Sequence, residues 1–121
     1  IGLADGPLLA KKSNKEYLQP FAERKANVIR FLTCVNPALK VDVIQLLDVG
    51  GPALVEPNLD VIICSPETMS GCNKINDIRE QKKLKPLAIY GIEYIATDGT
   101  NNEANRVSST KLRKIASGGT V

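Results

Sequence analysis

The run Asp60-Val61-Ile62-Ile63-Cys64-Ser65 constrains the fold more than any other stretch of the chain. An unbroken apolar run between polar residues leaves no side of a strand for water, and a strand covered on both faces belongs to a parallel sheet flanked by helices. Parallel strands need crossover connections, usually helical, and the sequence on either side supplies them. Ile1-Gly2-Leu3 runs into the turn signal Ala4-Asp5-Gly6-Pro7 and reads as the tail of a strand. Ser13 with Glu16 three residues on has the form of a capping box and predicts a short helix. A longer helix begins near Pro20, buries Phe21, Val28, Leu32 and Val35 along one stripe, and stops at Pro37, which leaves Arg24 and Lys25 on or near solvent. Val41–Leu47, rich in β-branched and aliphatic residues, predicts a strand that cannot continue through Asp48-Val49-Gly50-Gly51-Pro52.

Beyond Ser65 the pattern repeats. Gly71–Lys83 predicts a modest helix with Ile75 and Ile78 on one face, and Leu87–Ile95 another strand. A last helix begins near Ser108 or Ser109, turns Leu112 and Ile115 inward, and ends at Gly118-Gly119. Strand, helix, strand, strand, helix, strand, helix is the rhythm of an α/β fold, a Rossmann-like, mainly parallel sheet with helices on both faces. With 121 residues and 13.1 kDa the chain has room for one core, and a single domain over residues 1–121 is expected. Ligands of such sheets lie beyond the carboxyl ends of the strands, where Ala4–Lys12, Ser65–Asn76 and Ala96–Thr110 fall.

Composition removes several function classes. Histidine is absent, and Cys34, Cys64 and Cys72 show no C-x-x-C spacing, which excludes most zinc sites, haem attachment and any Cys/His or Ser/His/Asp catalytic arrangement. No metal-ligating cluster is expected, and the thiols read as reduced. The uncharged apolar runs, Val61–Cys64 among them, are far short of the ~20 residues a membrane-spanning helix needs. With no basic-then-apolar leader either, the expected compartment is the cytoplasm, with no membrane partner. A net charge of +3 is too weak for a general nucleic-acid binder. The charge is clustered, however: six basic residues face two acidic ones between Lys11 and Arg30, and four stand without an acid from Arg106 to Lys114. Two local patches point to a small anionic ligand.

Val107-Ser108-Ser109-Thr110-Lys111-Leu112-Arg113 is the stretch richest in chemistry. A helix start offers unpaired N–H groups and the positive end of the dipole, and hydroxyls with nearby cations add to them, as phosphate binding requires. By themselves these residues favour a plainer reading, a helix capped by Ser108 with Lys111, Arg113 and Lys114 on a solvated face. The stretch nevertheless resembles the I-S-S-T-x-I-R signature of the nucleotidyltransferase superfamily, with Val107 and Leu112 in place of the isoleucines. Ser65-Pro66-Glu67-Thr68, Gly71, Ile75-Asn76 and Arg79, a Lys/Pro-rich turn, a strand and Asp98-Gly99 resemble the second half of the eukaryotic and archaeal type of phosphopantetheine adenylyltransferase. Ile1-Gly2-Leu3-Ala4-Asp5, Lys11-Lys12 and Gln19-Pro20-Phe21-x-Glu23-Arg24-x-x-Asn27-Val28 are similar to the early helical region of that family.

The resemblance implies a nucleotidyltransferase fold and transfer of an adenylyl group from ATP to 4′-phosphopantetheine, giving dephospho-coenzyme A and pyrophosphate in coenzyme A biosynthesis. By motif match it implies Ser108, Ser109, Thr110 and Arg113 at the ATP phosphates and Ser65, Glu67 and Thr68 on the nucleotide side. Lys11 or Lys12 is then the contact of the acceptor phosphate, and Mg2+ is expected with ATP, held mostly by phosphate oxygens and water. Arg79 is a weaker candidate, since a mid-helix arginine is more often on the surface. The chain departs from the superfamily in lacking H-x-G-H. The simpler expectation is that the first strand with its loop and helix is absent from an N-terminally truncated domain, which as it stands has little transferase activity. A second departure is Thr100–Asn105, where the family is usually shorter, which bears on the placement of Asp98. Two other readings stand beside the enzyme: a non-catalytic nucleotide-binding or interaction module of the same fold, and a cytidylyltransferase-type enzyme with another phosphorylated substrate. The oligomeric state, monomer or otherwise, is left open.

Overall fold

The computed structural model describes residues 1–96 and 106–120. They fall into two compact units, Ile1–Val49 with Ser109–Val121, and Gly50–Ser108.

In the first unit, β1 (Gly2–Ala4) pairs in parallel with β2 (Ile44–Leu46), with Gly2 opposite Ile44 and Ala4 opposite Leu46. The helix α1 (Phe21–Val35) forms the crossover between them. Backbone bonds from Ile44 to the Ile1 carbonyl and from Asp5 to the Leu46 carbonyl, both 2.9 Å, extend the ladder past each end. A Cβ at residue 2 would run into the Leu46 side chain, which packs over Gly2 and would have to shift to admit it. Pro20 sits before the first turn of α1, where its missing N–H costs nothing. Phe21, Val28 and Leu32 are half-buried as the periodicity predicts, but Val35 is exposed in the last turn. The capping box expected at Ser13 does not form. Lys15–Tyr17 makes only a 3-10 turn, entered through Asn14 in the left-handed region at φ 50°, a conformation asparagine tolerates.

The helix α3 (Ser109–Ala116) completes this unit. Gly118 at φ 84° ends it, with Gly119 N–H donating to the Lys114 carbonyl at 2.9 Å, so the glycine stop read from the sequence holds. The inward face differs from expectation. Leu112 and Ile115 are 56% and 52% exposed, whereas Arg113 is only 8% exposed. The arginine can sit inside because hydrogen-bond acceptors await it there, a circumstance that hydrophobic periodicity does not register.

In the second unit, β3 (Val61–Cys64) pairs in parallel with β4 (Ala88–Gly91), Val61 opposite Ala88 and Cys64 opposite Gly91, with α2 (Met69–Gln81) as the crossover. Strand β3 is not covered on both faces: Val61 and Ile63 are exposed along with Ala88 and Tyr90 opposite them. The other side faces inward, with Cys64, Cys72 and Leu87 buried. Lys83, at φ 58°, ends α2 in the left-handed conformation usually left to glycine, and Leu84 N–H reaches back to the Arg79 carbonyl at 2.8 Å. An antiparallel bridge pairs Ala96 with Arg106. Asp98, Gly99 and the Thr100–Asn105 stretch lie outside the described residues. Among the described residues no helix is long and apolar enough to cross a membrane.

Candidate functional site

The carboxyl end of β1 is where chemistry gathers in the first unit. A cleft of about 320 Å³ is lined there by Leu3 and Ala4 of β1, Leu9, Lys12 and Leu18 of the following segment, Arg24 of α1, and Ser109, Thr110 and Arg113 of α3. Three cations and two hydroxyls thus meet an apolar wall, and no carboxylate lines the cleft. The nearest acid in sequence, Asp5, is already engaged. Its carboxylate accepts from Arg24 at 2.8 Å and from Gln45 at 2.7 Å. The Gln45 amide, a hydrogen bond from Gly6 N–H and the Arg24 charge together hold the Asp5 carboxyl below its ordinary value against the opposing effect of burial.

Arg24, expected at solvent, is instead a clamp. It donates from Nε to the Gln19 carbonyl at 2.9 Å, from Nη1 to the Ala4 carbonyl at 2.8 Å and from Nη2 to Asp5, while stacking 5.7 Å from the Phe21 ring centroid. A long side chain can leave a helix surface and turn inward when carbonyls lie within reach, and here it joins the end of β1 to the start of α1.

Of the residues expected at the phosphates, Ser109 and Thr110 form the first turn of α3 and line the cleft, where the positive end of the helix dipole favours an anion. Arg113 lines it too, donating from Nη2 to Thr110 Oγ1 at 3.2 Å and from Nε to the Ser13 carbonyl at 3.0 Å. Lys12 lines the cleft and Lys11, exposed beside it, does not, a distinction the sequence left open. Ser108, half-buried just before α3, is not among the lining residues.

Ser65, Glu67 and Thr68 belong to the second unit. They form a turn directly after β3, and here a true capping box does close. Ser65 N–H donates to Thr68 Oγ1 at 3.0 Å, and the two hydroxyls lie 3.2 Å apart. Glu67 pairs with Arg106 at 3.1 Å, and the Arg106 guanidinium lies 4.5 Å from the Tyr94 ring centroid. Asn76 and Arg79, both part of the resemblance, are braces within the unit. The Asn76 amide makes a reciprocal pair with the Leu87 backbone, at 2.9 and 2.8 Å, just ahead of β4. Arg79 is 0% exposed and, contrary to the surface expectation, holds the carbonyls of Lys85, Ala53 and Glu56 at 2.8–2.9 Å. Cys72 is buried against Cys64, and desolvation foremost raises its thiol above the ordinary value.

Among the described residues no cluster of three or more His, Cys, Asp or Glu could hold a metal ion. The cationic cleft does not fit a metal held by the protein, whereas it suits phosphate oxygens.

Comparison with known proteins narrows the chemistry. Residues 2–115 match the cytidylyltransferase-like family. The chain is 35% identical over 114 residues to a phosphopantetheine adenylyltransferase of Methanosarcina mazei, covering 93% of this chain and 71% of that protein. It is 30% identical over 114 residues to the phosphopantetheine adenylyltransferase of Saccharomyces cerevisiae, covering 94% of this chain and 37% of that protein. The chain thus spans little more than a third of the length of its yeast relative. A crystal structure of a protein of unknown function from Archaeoglobus fulgidus superposes with a TM-score of 0.62 at 23% identity, over 76% of this chain and 65% of that one, which establishes the α/β fold.

Proposed function

Because the chain belongs to the cytidylyltransferase-like family and, within it, to the phosphopantetheine adenylyltransferases, we propose that the full protein transfers the adenylyl group of ATP to 4′-phosphopantetheine. The acceptor's phosphate oxygen attacks the α-phosphorus, the bond to the β-phosphate breaks, and dephospho-coenzyme A and pyrophosphate leave. No covalent enzyme intermediate is required. Catalysis then consists of holding two polyanions in line and stabilising charge on the pentavalent phosphorus. The observation that carries this reading is the single cleft in which Lys12, Ser109, Thr110 and Arg113 converge.

In this assignment the first turn of α3 takes the triphosphate through the Ser109 and Thr110 hydroxyls and the positive end of the helix dipole, with Arg113 beside them in the same cleft. Lys12 takes the acceptor phosphate, in preference to Lys11. In the second unit the hydroxyls of Ser65 and Thr68 are engaged with each other, so the nucleotide contact that the resemblance implies for that turn would be made by its backbone. Mg2+ enters with ATP as part of the substrate. The 121 residues contain no histidine and supply no H-x-G-H, and the activity is assigned to the full protein. Unpaired thiols suit the reducing cytoplasm.

The test is pyrophosphate release by the full protein with ATP and 4′-phosphopantetheine. Ser109→Ala should raise the KM for ATP more than that for the acceptor, and Lys12→Ala should do the reverse. Release that depends on CTP but not ATP would favour a cytidylyltransferase on another substrate, and no release with either would leave a binding module.

A further inference from the structure

Arg113 has bonds that a contact with ATP phosphates does not explain. Its Nε donates to the carbonyl of Ser13, the residue after Lys12, at 3.0 Å, and its Nη2 to Thr110 at 3.2 Å. Asn14, the next residue of the same segment, donates from Nδ2 to Ser117 Oγ at 3.4 Å. Residues 113 and 117 lie four apart, the second just past the end of α3 with its N–H on the Arg113 carbonyl at 3.0 Å, so consecutive residues of the lysine-bearing segment are fastened to the last turns of α3 and the residue after it. The cleft therefore sets two anion-binding elements, the start of α3 and Lys12, on pieces of backbone that one guanidinium joins.

We propose that Arg113 is a positioning residue for Lys12, and that through it triphosphate and acceptor phosphate bind cooperatively. The inference rests on the assignment of the cleft to those two substrates. The guanidinium is a rigid planar fork. Two of its nitrogens are committed to Ser13 and Thr110, and Nη1 has no hydrogen-bond partner among the described residues. An anion that engages Nη1 fixes the plane of the whole fork, and so the orientation in which Nε holds the Ser13 carbonyl and Lys12 stands ready. Coupling of this kind is reciprocal: whichever polyanion binds first strengthens the site for the second.

Calorimetric titration of the full protein with 4′-phosphopantetheine, alone and with saturating adenosine 5′-(α,β-methylene)triphosphate, tests this. In the unaltered protein the analogue should tighten acceptor binding about fivefold or more. Arg113→Ala should weaken acceptor binding about tenfold even without nucleotide, the loss of one hydrogen bond to a charged group, and should abolish the coupling. Arg113→Lys retains a charge in the cleft without the fork, and should keep more nucleotide affinity while still losing the coupling. Asn14→Gly preserves the left-handed backbone, removes the second fastening at an exposed position, and should weaken the acceptor but not the nucleotide. Acceptor affinity unchanged in nucleotide-free Arg113→Ala would overturn the proposal and leave Arg113 as a nucleotide contact only. Independent binding of the two ligands to the unaltered protein would also overturn it while leaving the assigned reaction intact. Failure of both ligands to bind would refute the assignment of the cleft itself.

Discussion

Replacing Arg79 tests whether a motif residue serves architecture or ligand. Its side chain is wholly buried and satisfies three carbonyls, those of Ala53 and Glu56 around the Gly51–Leu54 turn and that of Lys85 ahead of β4. Arg79→Met keeps much of the volume but leaves those part-buried acceptors without their donor. At about 1–2 kcal/mol for each unsatisfied carbonyl, partly offset by relief of the buried Nη2 that itself lacks a partner, the expected loss is about 3–4 kcal/mol. That is a large fraction of the roughly 5–15 kcal/mol that stabilises an ordinary domain. Arg79→Lys, whose ammonium cannot span all three acceptors, should lose about half as much. Urea unfolding of the full protein, followed by circular dichroism, reads the effect as a lower midpoint. A loss below about 1 kcal/mol would refute the argument, as would unchanged stability with collapsed turnover, since either places the guanidinium at a ligand.

Three shorter expectations follow from the same structure. Lys83→Gly should raise stability by about 0.5–1 kcal/mol, because the left-handed residue that ends α2 is strained for lysine and not for glycine; a lower unfolding midpoint would contradict the assigned conformation. The Asp5 carboxyl has a depressed folded-state pKa, so the clamp to Arg24 and Gln45 contributes stability that is complete above the unfolded value of about 3.9 and fades as pH falls through the lower folded value. Asp5→Asn should therefore flatten the stability profile below about pH 4 and leave its shape unchanged between pH 6 and 8, as thermal unfolding across pH would show. Finally, maleimide should label exposed Cys34 in the native protein well before buried Cys64 and Cys72, whose reaction awaits unfolding; equal labelling by mass spectrometry would deny the burial of the pair.

The order and type of the elements were legible because they rest on local signals: Pro20 and Pro37 around α1, the apolar run of β3, and Gly118 after α3. The arginines were not. Arg24, Arg79 and Arg113 were read from residue type as surface or ligand groups, yet each turns inward to carbonyls distant in sequence, and no periodicity encodes where such an acceptor will stand. The same limit explains Ser13. It resembled a helix cap, but its carbonyl serves Arg113, 100 positions away in sequence. For the candidate site, the hydroxyl-rich start of α3 was visible as a motif, whereas which of Lys11 and Lys12 lines the cleft depended on the path of the backbone after β1.

The bridge between Ala96 and Arg106, with Arg106 anchored on Glu67 and Tyr94, has an evolutionary corollary. It fastens the two banks of a stretch whose span can then drift. Once both ends are moored, each doubling of the intervening length costs only about 0.6 kcal/mol. Residues gained or shed at this place should therefore leave the Ala96–Arg106 pairing in register.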